Sequence, residues 1–197
     1  MSKALTILDP AQRIGKLILG FVGDVPKSAR RKSRHPARLA REIANTAASK
    51  AAMTAGGMAL PPGPLGWLTL LPELVAVWKL QSQMVADIAA VYGKQASLTP
   101  EQMVYCLFKH AASMAVRDLV VRVGERIVVR HVPLQTLGKI TQTIALRISH
   151  GVLGKGISRW VPVIGALGVG AYAYFDTGRV ARTAIELFER EIDISAG

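Results

Sequence analysis

Alanine at 40, 44, 48 and 52 and glycine at 56 recur at every fourth position, with Ala47, Ala51 and Ala55 beside them. That period places them along one face of an α-helix. A face carrying nothing larger than a methyl group is stabilised only when another backbone comes close enough to fill it, in water or in lipid. The chain must therefore press at least one further helix tightly against residues 36 to 56. A second glycine-rich stretch, Trp160 to Phe175 (WVPVIGALGVGAYAYF), is likewise expected to admit a neighbouring helix, and its continuation to Ile192 reads as an amphipathic helix.

Both stretches are apolar enough to raise the question of a membrane. Residues 51–72 hold no charged side chain, and these 22 residues are long enough for a bilayer core of about 30 Å. Pro61, Pro62 and Pro64 interrupt them, because proline lacks the amide hydrogen and clashes with a continuing turn. A loop around Trp67 is expected here. Residues 160–175 are uncharged for 16 positions, short of a comfortable span. A single pass is disfavoured; peripheral attachment, a buried soluble core and a protein-shielded re-entrant hairpin stay open.

The rest of the chain also reads as helix. Asp9, Pro10 and Gln12 form a helix start, followed by Ile14, Leu17, Ile18 and Phe21 at helical spacing up to Gly23. Leu74, Val77, Trp78, Gln81, Met84, Val85, Ile88 and Val91 mark a helix from Pro72 to Tyr92, closed by Gly93 at C′. Thr99, Pro100 and Gln102 form a capping box for the next. RDLVVRVGERIVVRH, 117–131, is read as helical with Arg122, Arg126 and Arg130 on one face, although Gly124-Glu125 also fits a two-residue hairpin. Residues 133–149 and 163–192 complete the helices, with the glycine-broken turn HGVLGKGISRWVP between them. The expected fold class is all-α: one compact multi-helix domain, residues 36–197, preceded by a basic N-terminal arm, residues 1–35.

Charge is unevenly placed. Of the net +12, residues 1–50 supply +8 from eleven Lys/Arg and three Asp/Glu. Lys27, Arg30, Arg31, Lys32, Arg34, Arg38 and Arg41 run without an acid before Glu42. Such a field attracts polyanions, either anionic lipid or nucleic acid. Each cation near an anionic bilayer is worth about 1 kcal/mol, so the run anchors a protein if an apolar element inserts beside it. The helix carrying Ile14, Leu17, Ile18 and Phe21 is one such element and the Trp67 loop another. The run holds no aromatic residue for base stacking, which makes nucleic acid the less favoured partner; a solvated linker is the bland alternative.

No catalytic constellation is visible. Cys106 and His110 lie four apart on one helix, but a zinc site needs three or four ligands, so no metal and no cofactor is expected. The single cysteine excludes an internal disulfide, and Asp9-Pro10 interrupts any secretory signal core, which points to a cytoplasmic setting. GVLGKG lacks the spacing of a phosphate loop, since Gly151, Gly154 and Lys155 are too close together. Asp87 sits beside Ile88 on a largely apolar helix and needs a partner if buried; Asp176 ends the apolar run near Arg179. Structural roles are expected for both acids. Asp87, Tyr92 and His110 are the polar groups that an interhelical pocket would use.

Two segments carry a family resemblance. ASKAAMTAGGMALPPGPLGWLTLLPELVAVWKLQSQMVADIAAVYG, Ala48 to Gly93, resembles the glycine-rich segment, Leu-Pro helix and "IA-x-x-YG" ending of the EcsC family of bacterial proteins. WVPVIGALGVGAYAYFDTGRVARTAIELFER, Trp160 to Arg190, is similar to its closing "P-x-x-G-A" helix. With the TPEQ helix start the resemblance spans roughly residues 38–192. Where family members place an Asn after the last Gly-Ala of that helix, this chain has aromatic residues and then Asp176. The resemblance implies a bacterial, mainly helical, cytoplasm-facing protein linked to an ABC transporter operon, with no catalytic residues to carry over.

The expected function is thus non-enzymatic: a scaffold or remodelling factor at the inner face of the plasma membrane, binding anionic lipid or a membrane protein complex. A soluble enzyme or small-molecule binder is the first alternative and a nucleic-acid-binding protein the second, with self-association open.

Overall fold

The alanine stripe finds its partner in the closing helix. The computed structural model describes residues 10–58, 66–154 and 162–191. Helix α2, Pro36–Met58, and helix α7, Pro162–Arg190, form the most extensive helix pair. A Cβ placed on Gly170 would stand 3.0 Å from the Ala52 carbonyl oxygen and 3.7 Å from Gly56 Cα. This is backbone-to-backbone packing that only small residues allow. The neighbouring alanines Ala51 and Ala55 are buried against Ala173 of α7 and Val77 of α3, Gly66–Val91.

Helix α3 ends where the sequence predicts. Gly93, at φ 77°, donates to the Ala90 carbonyl at 2.9 Å, and Lys94 to that of Ala89 at 2.8 Å, a Schellman closure. The helix begins earlier than expected, at Gly66 rather than Pro72. Trp67 therefore lies in its first turn and not in a loop. Pro72 sits inside the helix, where its missing amide costs a single ladder bond. Pro61, Pro62 and Pro64, the Asp9 cap, and residues 155–161 with Lys155 and Trp160 lie outside the described residues, whereas Gly151 and Gly154 fall in the last turn of α6.

Helix α4, Pro100–Phe108, opens with the expected capping box, Thr99 and Gln102 exchanging both hydrogen bonds. A one-turn helix α5, Ser113–Val116, and a 3₁₀ turn follow. The helical reading of 117–131 is then overturned. β1, Val120–Val123, pairs antiparallel with β2, Arg126–Val129, Arg122 opposite Ile127. Gly124 takes φ 61° at the first turn position, which suits a type II′ hairpin. The β-branched run wins over helical periodicity because alternate residues can bury Ile127 while Val121 and Val123 face out. Arg122 and Arg126 consequently lie on opposite faces of the hairpin.

Helix α1, Pro10–Gly23, packs on α6, Leu134–Gly154. Ile14, Ile18 and Val22 join the main core with Trp78, Met84, Ile88, Phe108, Ile144 and Leu187. Trp78 meets Phe108 edge-on, ring centroids 5.5 Å apart. The helix expected to lead a separate arm thus shares one core with residues beyond 36. Apart from the hairpin the described residues are all-α. Among the described residues one helix is apolar and long enough to cross a membrane, α3 in its stretch Leu74–Val91 at mean hydropathy 1.2, but 61% of that stretch is buried within the protein.

Candidate anion-binding surface

The basic run is not a loose linker. Between α1 and α2 it crosses the C-terminal half of α3 as an irregular strap, held by backbone and side-chain hydrogen bonds. The Ser33 amide donates to the Val91 carbonyl at 2.9 Å. Gln83 Nε2 donates to the Lys27 carbonyl at 3.2 Å, and Gln95 Nε2 to that of Pro26 at 3.3 Å. Asp87 accepts from Ser28 Oγ at 2.6 Å and from Gln83 Nε2 at 3.0 Å, so it secures the strap. Gly93 matters twice, because the aliphatic stem of Lys32 lies where its Cβ would be.

Lys27, Arg30, Arg31, Lys32, Arg34, Arg38 and Arg41 are all exposed. Among the described residues only Arg38 is in an ion pair, with Glu42 at 3.2 Å. Ordered, exposed and unpaired cations form a standing positive surface.

The apolar residues expected beside that surface divide differently. Ile14 and Ile18 are in the core, Phe21 packs against it, and only Leu17 is exposed. Their stripe is used up on α6 and leaves nothing of the size of an inserting face. Trp67 is placed by its backbone alone. Helix α7 instead turns three aromatic side chains outward, Tyr172 and Phe175 at 66% and 63% exposure and Tyr174 at 41%. Arg179 and Arg182 follow within two turns on the exposed side.

Arg182 stands between two clefts. One, of about 220 Å³, runs along the α2–α7 seam between Arg41, Asn45, Tyr174 and Gly178. The other, of about 420 Å³, is lined by Lys109, His110, Ser113, Arg179, Arg182 and Thr183. Lys109 pairs with Glu186 at 3.1 Å, and Arg122 of the hairpin reaches the same carboxylate at 2.7 Å. Burial opposes ionisation of Glu186, but Lys109 and then Arg122 outweigh it and hold the carboxyl below its ordinary 4.5. Burial likewise works against the Lys109 ammonium, yet Glu186 and Tyr105 raise it above 10.5.

Behind the larger cleft lies a polar network crossing three segments. His110 Nε2 is 2.6 Å from Asp176 Oδ1, and Gln81 Nε2 donates to Asp176 Oδ2 at 2.8 Å and to Thr177 Oγ1 at 3.2 Å. Gln81 and Thr177 are buried, and His110 Nδ1 is buried without a hydrogen-bond partner. Asp176 therefore orients a histidine across the core rather than pairing with Arg179. Nothing in the sequence marks Gln81 as its third member: it occupies an apolar helical position, and only packing brings α3 to α7.

Of the three pocket candidates, His110 lines the larger of these two clefts, and Asp87 and Tyr92 line neither. The Tyr92 hydroxyl donates to Glu189 Oε1 at 2.6 Å, and burial, then that hydrogen bond, pushes its phenol above the ordinary 10.0. Cys106 is fully buried and burial raises its thiol, so it stays protonated packing material. Among the described residues no three His, Cys, Asp or Glu side chains gather to hold a metal.

These features define an all-α protein with a cationic, cleft-bearing flank and an aromatic edge. Residues 34–191 match the model of the EcsC protein family, most of the chain, and the chain belongs to that family. No curated protein and no solved structure matches it.

Proposed function

We propose that the protein attaches to the anionic, cytoplasm-facing surface of a membrane and acts there as a scaffold or remodelling factor for lipid or a membrane protein complex. The observation that carries this is the gradient of polarity along the α2–α7 pair. Gly168 to Phe175 of α7 and Ala51 to Gly57 of α2 hold no charge and expose Tyr172, Tyr174, Phe175 and Met53. Gly170 lies against Ala52 while Arg41 and Asn45 share a cleft with Gly178 and Arg182, so the helices are antiparallel and both uncharged halves lie at one end; Lys50 and Asp176 border them, and Arg179, Arg182 and Arg41 follow one to three turns away. Apolar and aromatic groups followed by arginines suit the passage from acyl chains to phosphates, where aromatic rings and long cationic side chains are favoured.

An exposed aromatic group of this kind is also uncommon on a monomer that meets only water. Nucleic acid would be served by the cations but gains nothing from an uncharged end. The test is flotation with vesicles of phosphatidylglycerol or of phosphatidylcholine at low and high salt. Wild type is expected to float with the anionic vesicles and to lose this in a Tyr172→Ser, Phe175→Ser variant. Protein that stays at the bottom of the gradient with anionic vesicles at low salt overturns the reading.

A further inference from the structure

The larger cleft is lined by Arg179 and Arg182, which the membrane reading above also uses, together with groups that general attachment leaves idle. Arg179 and Arg182 stand one turn apart on α7, and neither forms an ion pair among the described residues; Arg182 Nε only donates to the Gly178 carbonyl at 3.3 Å. Lys109, at the same rim, shares its carboxylate with Arg122. Two neighbouring guanidinium groups with no acid between them repel one another, a cost that a bound anion would remove.

The walls supply more than charge. Ser113 adds a hydroxyl, whereas the Thr183 hydroxyl is donated to the Arg179 carbonyl at 3.1 Å and has no hydrogen left for a ligand. His110 is clamped by Asp176 on one nitrogen, while Nδ1 finds no protein partner. Among the described residues no carboxylate lines the cleft, since Asp176 faces His110 and Gln81 behind it and Glu186 is turned to Lys109 and Arg122.

We propose that this cleft binds a phosphate monoester, with Arg179 and Arg182 presenting guanidinium forks to its oxygens and Lys109, Ser113 and Thr183 at its rim. A phosphate group fits better than a lone carboxylate because it offers more oxygens and, as the dianion, twice the charge to three cations and the Ser113 hydroxyl. The group could belong to a soluble phosphate ester or to the headgroup of a phosphatidic acid, and the chemistry is the same.

The experiment is calorimetric titration of full-length protein with inorganic phosphate and with glycerol 3-phosphate, without lipid. A parallel arm measures binding to vesicles of phosphatidic acid against phosphatidylserine at matched surface charge. The Arg179→Gln, Arg182→Gln variant is compared with Arg30→Gln, Arg31→Gln, which removes equal charge from the strap. Soluble phosphate binding weakened at least about tenfold in the first variant alone supports the site and a soluble source. A preference for phosphatidic acid, lost in the first variant alone, supports the site and a headgroup source. Absence of both, or equal losses in the two variants, overturns it. All four arginines are exposed, so the variants are expected to fold. Phosphate binding that survives in Tyr172→Ser, Phe175→Ser keeps the cleft distinct from the membrane edge.

Discussion

Glu186 joins three parts of the protein through one carboxylate, taking Lys109 from the end of α4 and Arg122 from the hairpin onto α7. Its ionised form is favoured by folding, because the folded pKa lies below the ordinary 4.5. The stability it adds is fully present above that value and is lost as pH falls through the lowered folded value. Glu186→Gln should therefore destabilise the protein at neutral pH, with the gap from wild type closing at an acid pH below that lowered folded value. Urea unfolding at the two pH values checks this; an equal gap at both would mean that the side chain acts by packing alone. At this scale the sequence is legible where a residue type and its neighbours suffice, as for Gly93 and Thr99. It is silent for Glu186, Asp176 and Gln81, whose partners lie 64 or more positions away.

Among elements, α7 contains two glycines whose substitution should act in opposite directions. Gly170 lies against the Ala52 carbonyl, whereas a Cβ on Gly168 meets nothing within 4 Å. Gly170→Val should cost about 1–3 kcal/mol by overpacking, a fall in Tm of roughly 3–10 °C for a chain of this size. Gly168→Ala should raise stability by up to about 1 kcal/mol through helix propensity. Thermal unfolding measures both, and matching signs would mean that α2 and α7 are not in backbone contact. The hairpin at 120–129 and the buried face of α1 show where element-level reading stops. Valines at 120, 121, 123, 128 and 129 fit a strand or a helix, and an amphipathic stripe fits a membrane as well as a core. Contact with α7 decides the first and α6 the second.

Over the whole molecule, the distance between charge and aromatic edge sets what each contributes. Tyr92 reaches Glu189, and the strap is bonded to Val91, so the strap is level with the far end of α7. From Phe175 to Glu189 is fourteen residues, about 20 Å along the helix, well beyond the screening length of about 8 Å at physiological salt. With the aromatic edge at the membrane, Arg41→Ser, Arg179→Ser, Arg182→Ser should weaken binding to phosphatidylglycerol vesicles by roughly a hundredfold. Arg30→Ser, Arg31→Ser, Arg34→Ser should cost less than about tenfold. Quantitative vesicle sedimentation compares them, and a larger loss in the strap variant would turn the other end of the protein to the lipid.

The all-α class, the close-packing small-residue faces of 36–56 and of the closing helix, the caps at Gly93 and Thr99, and the basic run follow from the sequence, because each depends on local conformation or on a repeat of three or four residues. Which apolar face is buried, which cations remain unpaired, and that His110, Asp176 and Gln81 meet were decided only in the tertiary structure. The physical reason is that burial and ion pairing are properties of neighbours in space, and these neighbours are separated by up to 95 positions along the chain.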